Sequence, residues 1–436
     1  MGKHFSWTKG FNAPLLLAKY RKIRTTPDGK AQLDAIKNDF WLPVLNSAIK
    51  SPPSIQPMQL SCIQDVLFDA TSLLTDPDSF LEQLEKALIA RLKRTQKKYF
   101  LLCSVTYEGP KLISRLRDGD CILHWKPSAS LKRYRKSLRE RKKIGPILER
   151  YHIDDVQTGM THLMVDVTAS SHHEAFEKAI NCVDRFRGLV NLLGNTTRRL
   201  KFLPSAPHAV NRLRRGPFST VHKADGTIAD EIFWYENRWW HSRGPFRFKN
   251  TEQDLQKHFS KWWKKATKGP LNELIGAGLL RYCNALDDHN MDVCLTRLWS
   301  ALELLTGTTN TRYDVTVSRI TRLFTDFEDA RLIAEHVRCQ RNATIHAAAS
   351  PDEQLLDSTI HHAELLCNRI LKFCILEGHQ FKGPSEVYEF LDSPTDLARI
   401  RRSNRISAAY LRYRKRFSTP EKAPPLGPPS VILSRS

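Results

Sequence analysis

Residues 291–307 read MDVCLTRLWSALELLTG. Leu295, Leu298, Trp299, Leu302 and Leu305 recur at steps of three and four, which places them on one side of an α-helix. Gly307 stands where a helix end favours a residue tolerant of positive φ. A stripe this apolar has to be buried, and the flanking sequence supplies partners of the same kind. Upstream, Thr251, Glu252 and Gln253 can cap a helix reaching about residue 268, and Gly269-Pro270 starts another that carries Leu274, Ile275, Leu279, Tyr282 and Leu286. Downstream, 315–324 and 327–348 continue the series. Ser350-Pro351-Asp352-Glu353 then combines a capping serine, a proline at the first helical position and a glutamate at the third, opening a helix to Gly378. Amphipathic helices joined by short turns bury their stripes only against each other, which predicts an all-α bundle over 251–380.

Toward the N-terminus the pattern differs. Residues 1–98 alternate apolar runs with turn material such as Ser51-Pro52-Pro53-Ser54 and Thr75-Asp76-Pro77-Asp78, and read as a mostly helical segment. Strand-like runs at 99–106, 120–125 and 162–167 are followed by an amphipathic helix over 171–193 and β-rich sequence over 198–247. Ile232-Phe233-Trp234-Tyr235 and Trp239-Trp240 fit either stacking on bases or burial in a small sheet. The fold class expected is an α+β N-terminal region, with 99–250 as its own domain, followed by the helical bundle. A basic extension over 381–418 and a Pro-rich, disordered tail over 419–436 complete the expected organisation.

Composition narrows the partners. The 436 residues are 41% hydrophobic and 26% charged, ordinary for a globular chain and unlike collagen or a wholly disordered protein. Lys plus Arg number 68 against 46 Asp plus Glu, and the net charge of +22 attracts polyanions. Cations concentrate at Lys132, Arg133, Arg135, Lys136, Arg139, Arg141, Lys142 and Lys143, where few apolar positions are available to bury. That segment is either a solvated basic helix or a loop over a polyanion site, and its eight cations are candidate RNA contacts. Residues 399–417 are again basic, interleaved with Tyr410, Tyr413 and Phe417. Nine cysteines without a CxxC pair predict a reducing, cytoplasmic setting. The absence of a long apolar run predicts no membrane partner. There is no Walker A loop, H-E-x-x-H or G-x-S-x-G, and His361-His362 lacks partners at ligand spacing, so no metal or cofactor is expected.

One stretch could carry chemistry: Arg341-Asn342-Ala343-Thr344-Ile345-His346. Metal-free RNA cleavage needs a group that titrates near neutrality to move a proton and a fixed cation on the phosphate. Five steps along an α-helix rotate by about 500°, so Arg341 and His346 point about 140° apart. Asn342 shares the His346 face, one turn earlier. Arg341 must therefore reach round the helix with its long side chain, or act across a cleft made with another helix or protomer, and a composite site is expected. His346 also lies near the end of its helix, where unpaired carbonyls favour imidazolium. Arginine followed at short distance by histidine recurs as Arg117 with His124, Arg215 with His222 and Arg331 with His336, so spacing alone singles out nothing.

The context does. Arg341-Asn342 through His346 matches the R-N-x-x-x-H form of the HEPN motif, and the helix around Ala301-Leu302-Glu303 that precedes it resembles the Apea-like HEPN branch over about 270–378. Residues 165–193, a strand and then a helix, are similar to the region preceding the HEPN part in such proteins. The resemblance implies a homodimeric helical bundle in which Arg341 and His346 of both protomers line a shared cleft. It further implies metal-independent endoribonuclease activity that leaves 2′,3′-cyclic phosphate ends, in antiphage defence, with RNA such as tRNA as substrate. Asn342 would orient the site and Glu303 would support it from the neighbouring helix, while the N-terminal region senses a trigger. The alternative is a non-catalytic nucleic-acid-binding or scaffold protein that uses the two basic segments.

Overall fold

The computed structural model describes residues 4–52, 54–72, 74–107, 111–150, 160–195, 210–236, 252–308, 313–346, 353–394 and 396–417. Thr251, Ser350, Pro351, Asp352, Trp239, Trp240 and the Pro-rich tail, which figure in the expectations above, lie outside the described residues. The chain divides into two units, Met1–Lys98 with Thr168–Glu174, and Tyr99–Val167 with Ala175–Ser436.

In the first unit, β1 (Ser6–Trp7), α1 (Ala13–Ile23), β2 (Arg24–Thr25), β3 (Gln32–Leu33), α2 (Ala35–Ala48), β4 (Ile49–Lys50), α3 (Gln56–Phe68) and α4 (Pro77–Leu92) follow one another. Local chemistry sets the helix starts: the Asn12, Asp34 and Asp76 side chains accept from the backbone N–H three residues on, with Pro77 directly after its cap. Tyr20, Leu45, Ile63, Leu67, Phe80 and Leu84 make the core. The described residues of this unit are mostly helical. The antiparallel pairs β1–β4 and β2–β3 are two residues long, too short for an alternation to be read in advance.

The second unit holds all but the first two residues of β5 (Lys97–Val105), then β6 (Arg115–Asp118), β7 (Cys121–Trp125), α5 (Lys132–Arg141), α6 (Gly145–Arg150), β8 (Thr161–Ala169) as far as Val167, α7 (His172–Gly194) from Ala175, β9 (Phe218–Lys223) and β10 (Ile228–Tyr235). Its strands form one six-stranded sheet in the order β10-β9-β5-β8-β7-β6. Register pairs Phe100 with His222 and Leu123 with Val165. β6 carries a single apolar residue, Leu116, among Arg115, Arg117 and Asp118, and so gave no sequence signal. Helix α5 covers one face of the sheet, with Tyr134 and Leu138 on Phe100, Leu102 and Met164. On the other face Phe186 of α7 meets Trp125 with ring centroids 5.3 Å apart.

The remaining elements are helical: α8 (Glu252–Lys268), α9 (Asn272–Leu286), α10 (Met291–Thr306), α11 (Tyr313–Thr321), α12 (Phe327–His346), α13 (Glu353–Glu377), α14 (Pro384–Asp392) and α15 (Leu397–Phe417). The protein thus has an α+β N-terminal region and a large helical C-terminal part. The α10 stripe is buried as expected, because α10 packs against α9, α11, α12 and α13. Gly307 closes α10 at φ +64°, and a Cβ there would stand 2.3 Å from the Tyr388 ring of α14.

Helix α7 is more deeply enclosed than one amphipathic face implies, since Phe186, Arg187, Leu189, Asn191 and Leu192 are all buried. The sheet covers one side, while Phe259 of α8, Leu279 of α9 and Asn368 of α13 touch the other. A Cβ on Gly188 would come within 2.7 Å of the Leu279 carbonyl oxygen, so this glycine permits the close crossing with α9. A polar cluster lies in this layer. Arg187, 0% exposed, reaches Asp184 at 2.6 Å and both oxygens of Asp287 at 2.6 and 2.7 Å. Asn211 adds a 2.8 Å bond to Asp287. Burial alone would raise the Asp287 carboxyl, but Arg187 and Arg215 override it and bring it down to about 2.

Candidate active site and basic surfaces

Helix α12 packs through Ala330, Ala334 and Val337, which are buried at helical spacing. Continuing that spacing by four and then three residues reaches Arg341 and Thr344, so an arginine and a threonine occupy the last two places of an inward stripe. Both are half-buried. The Arg341 Nη1 donates to the Tyr313 hydroxyl at 3.2 Å and to Asn342 Oδ1 at 3.1 Å. Its guanidinium carbon lies 5.0 Å from the centre of the Tyr313 ring, a cation–π distance. Among the described residues the buried Arg341 Nε and Thr344 Oγ1 have no hydrogen-bond partner.

The chain of contacts continues into α10. Trp299, buried to 1% exposure, meets Tyr313 edge to face with centroids 6.1 Å apart, and its Nε1 donates to Glu303 Oε1 at 2.8 Å. Three of the four expected site residues, Arg341, Asn342 and Glu303, are therefore linked, with Glu303 joined to Arg341 through Trp299 and Tyr313. His346 is the last residue of α12, and its side chain lies outside the described residues. Tyr313 and Trp299 were not candidates from sequence. The available signals were a tryptophan one turn before Glu303 and a tyrosine opening the helix after Gly307.

The other arginine–histidine pairs are occupied structurally. His124 bonds Asp166 at 2.9 Å. His222 is fully buried and stacked on Phe100 at 5.2 Å, and Arg215 pairs with Glu236 at 2.5 Å. His336 bonds Thr359 at 3.0 Å and stands edge-on to His362, with His361 next to them. Burial and these two neighbours push the His362 imidazole below its usual value. Among the described residues no group of three or more His, Cys, Asp or Glu is arranged to hold a metal ion. No helix among them is long and apolar enough to cross a membrane.

The basic segment 131–150 needs a correction. It is neither an open loop nor a wholly solvated helix, because one side of α5 packs on the sheet and takes cations with it. Arg141 is 3% exposed, 3.8 Å from the Phe218 ring centre, and donates to the Phe218 carbonyl at 3.2 Å. A surface polyanion cannot reach it. Arg133 lies over Phe100 and bonds Asp166 at 2.8 Å, and Lys136 bonds Asp225 at 2.6 Å. The Asp225 carboxyl is held well below the usual carboxylate range, first by Lys136 and then by Thr227. Lys143 pairs with Glu140 at 2.8 Å while staying exposed. Lys132, Arg135, Arg139 and Lys142 face solvent. The Trp234 ring of the aromatic cluster stacks on Phe176 of α7 at 4.2 Å, a packing role.

Compared with protein-family models, with curated proteins and with solved structures, the chain finds no match.

Proposed function

We propose that this protein is a metal-independent endoribonuclease of the HEPN type, acting as a homodimer in bacterial antiphage defence and cutting RNA, tRNA included, to 2′,3′-cyclic phosphate ends. The observation that carries this reading is the setting of Arg341. Its Nη1 is held by Asn342 and Tyr313, while the residue as a whole stays half-buried rather than enclosed. A cation held this way loses little freedom on meeting a phosphoryl oxygen, which is what stabilises charge in a phosphate transition state. Arginine suits the task because its planar fork fits two phosphate oxygens at once.

His346 supplies the proton transfers. In the reaction, imidazole takes the 2′-hydroxyl proton as that oxygen attacks phosphorus, a second imidazolium protonates the leaving 5′-oxygen, and the products are a cyclic phosphate and a 5′-hydroxyl. Two imidazoles imply two copies of His346. The angle of about 140° between Arg341 and His346 around one helix fits a cleft shared between protomers. Glu303 acts at a distance, fixing Trp299 and through it Tyr313.

The test is incubation of the wild-type chain and its His346→Ala variant with total bacterial RNA and tRNA in excess EDTA, followed by mapping of the new 3′ ends. Cyclic-phosphate ends from wild type alone are the expected result. Cuts that persist in the variant, or that need a divalent metal, overturn the reading. A second reading, nucleic-acid binding without catalysis, draws its support from the exposed basic helix α15.

A further inference from the structure

Over 397–414 of α15 every side chain is exposed except the half-buried Ile400. Leu397, Tyr410 and Leu411 are 65%, 60% and 61% exposed. The 21 residues LARIRRSNRISAAYLRYRKRF hold seven arginines, one lysine and no acid. Protein helices draw most of their stability from packing, and like charges along one helix repel. A helix that exposes six arginines over 397–414, and its apolar side chains there apart from Ile400, is therefore built to meet something else.

The angular positions of its residues decide what. At 100° per residue, Leu397, Ile400 and Leu411 fall on one side, and Ile406, Tyr410 and Tyr413 fall on roughly the opposite side. Arg401, Arg405 and Arg412 form a ridge between the two, while Arg399 and Arg402 interrupt the tyrosine side. A lipid surface needs one broad apolar face free of charge, and the Leu397, Ile400 and Leu411 side is narrowed by Asn404 and carries Lys415. A second copy of α15 would set eight cations against eight. A polynucleotide matches the ridge in charge, and guanidinium groups pair with phosphate oxygens in bidentate fashion.

We propose that α15 is the arm with which the protein captures RNA, with Arg401, Arg405 and Arg412 on the phosphate backbone. The proposal moves the main contact away from α5, where Arg133, Lys136 and Arg141 are committed to Asp166, Asp225 and the sheet. It rests on the ribonuclease reading only in choosing RNA over DNA.

The experiment uses the full chain carrying His346→Ala, in EDTA, so that binding is read without cleavage. Fluorescence anisotropy follows a labelled RNA hairpin with a long unpaired loop, a DNA hairpin of the same sequence, and vesicles containing phosphatidylserine. The triple variant Arg401→Gln, Arg405→Gln, Arg412→Gln is expected to weaken RNA binding at least about 10-fold and to flatten the dependence of log affinity on log salt by about 2. Tyr410→Ala, on the side of α15 away from that ridge, is expected to change it by less than about 2-fold. The matching α5 variant Lys132→Gln, Arg135→Gln, Arg139→Gln is expected to change it less. RNA binding that survives in the α15 variant, DNA bound as tightly as RNA, or loss confined to vesicle binding each overturns the proposal. RNA binding that depends on α15 in a chain whose wild type never cuts RNA leaves the arm standing and removes the ribonuclease reading. Cleavage that does not depend on α15 does the reverse.

Discussion

The Tyr313 hydroxyl accepts a hydrogen bond from Arg341 Nη1 at 3.2 Å while its ring centre lies 5.0 Å from the guanidinium carbon, so one side chain holds the cation through both its hydroxyl and its ring. This pairing ties the start of α11 to the end of α12. It also places Trp299 and Glu303 behind Arg341 as support.

If Tyr313 positions Arg341, then Tyr313→Phe keeps the ring and loses the hydrogen bond. On the proposed ribonuclease reading, RNA cleavage should then fall about 10-fold in kcat, with KM and the thermal midpoint nearly unchanged. Arg341→Lys should cost about 100-fold or more, since an ammonium cannot reproduce the fork. A drop in thermal midpoint that parallels the loss in rate would show Tyr313 to be structural only.

The buried cluster around Arg187 should behave differently. Arg187→Met strands the Asp184 and Asp287 carboxylates in the interior and should destabilise the chain by about 3–5 kcal/mol, read as a shift in the urea midpoint. Adding Asp287→Leu to that variant should recover part of the loss. No recovery would mean that Asp287 is not the main partner of Arg187.

Gly307→Ala combines a positive φ with a Cβ 2.3 Å from the Tyr388 ring. The expected cost is about 1–3 kcal/mol. A second replacement, Tyr388→Ala, should remove the clash and leave only the backbone strain. Equal losses in the single and double variants would argue against the clash.

Acid sensitivity follows from two imidazoles beside α5. Burial, with the Arg141 charge adding to it, pushes His162 and His222 down from 6.5 to about 4. Their folded forms are neutral, so the stability they contribute is fully present above about pH 6.5 and is lost as the pH falls toward 4. Each accounts for up to about 3 kcal/mol over that range. Urea midpoints measured across this window should decline, and His222→Phe should flatten the decline. Asp287, held down to about 2, contributes no slope until the pH falls below the ordinary aspartate value.

Much of this was legible in advance. The α10 stripe, the Gly307 stop and the strands near 99–106, 120–125 and 162–167 followed from the period of apolar residues, because such a period is written into neighbouring positions. Arg341 and Asn342 were likewise visible as a motif. Tyr313 was not, since 28 residues and a helix boundary separate it from Arg341. Nor was the fate of Arg141: eight cations within twelve residues look alike until the sheet chooses one. The choice fell on Arg141 because the Phe218 ring and carbonyl offer it both a π-face and an acceptor.

The sequence by itself determined the long helices and the strands near 99–106, 120–125 and 162–167, where α10 stops, and the order of arginine, asparagine and histidine along α12. These are local properties, set by backbone sterics and by side chains one turn apart. Only the tertiary structure decided which arginine enters the core, which one meets a tyrosine at the end of α12, and which helix keeps its cations in water. Those outcomes depend on groups brought together from distant elements, where burial removes water and leaves a charge stable only beside a partner.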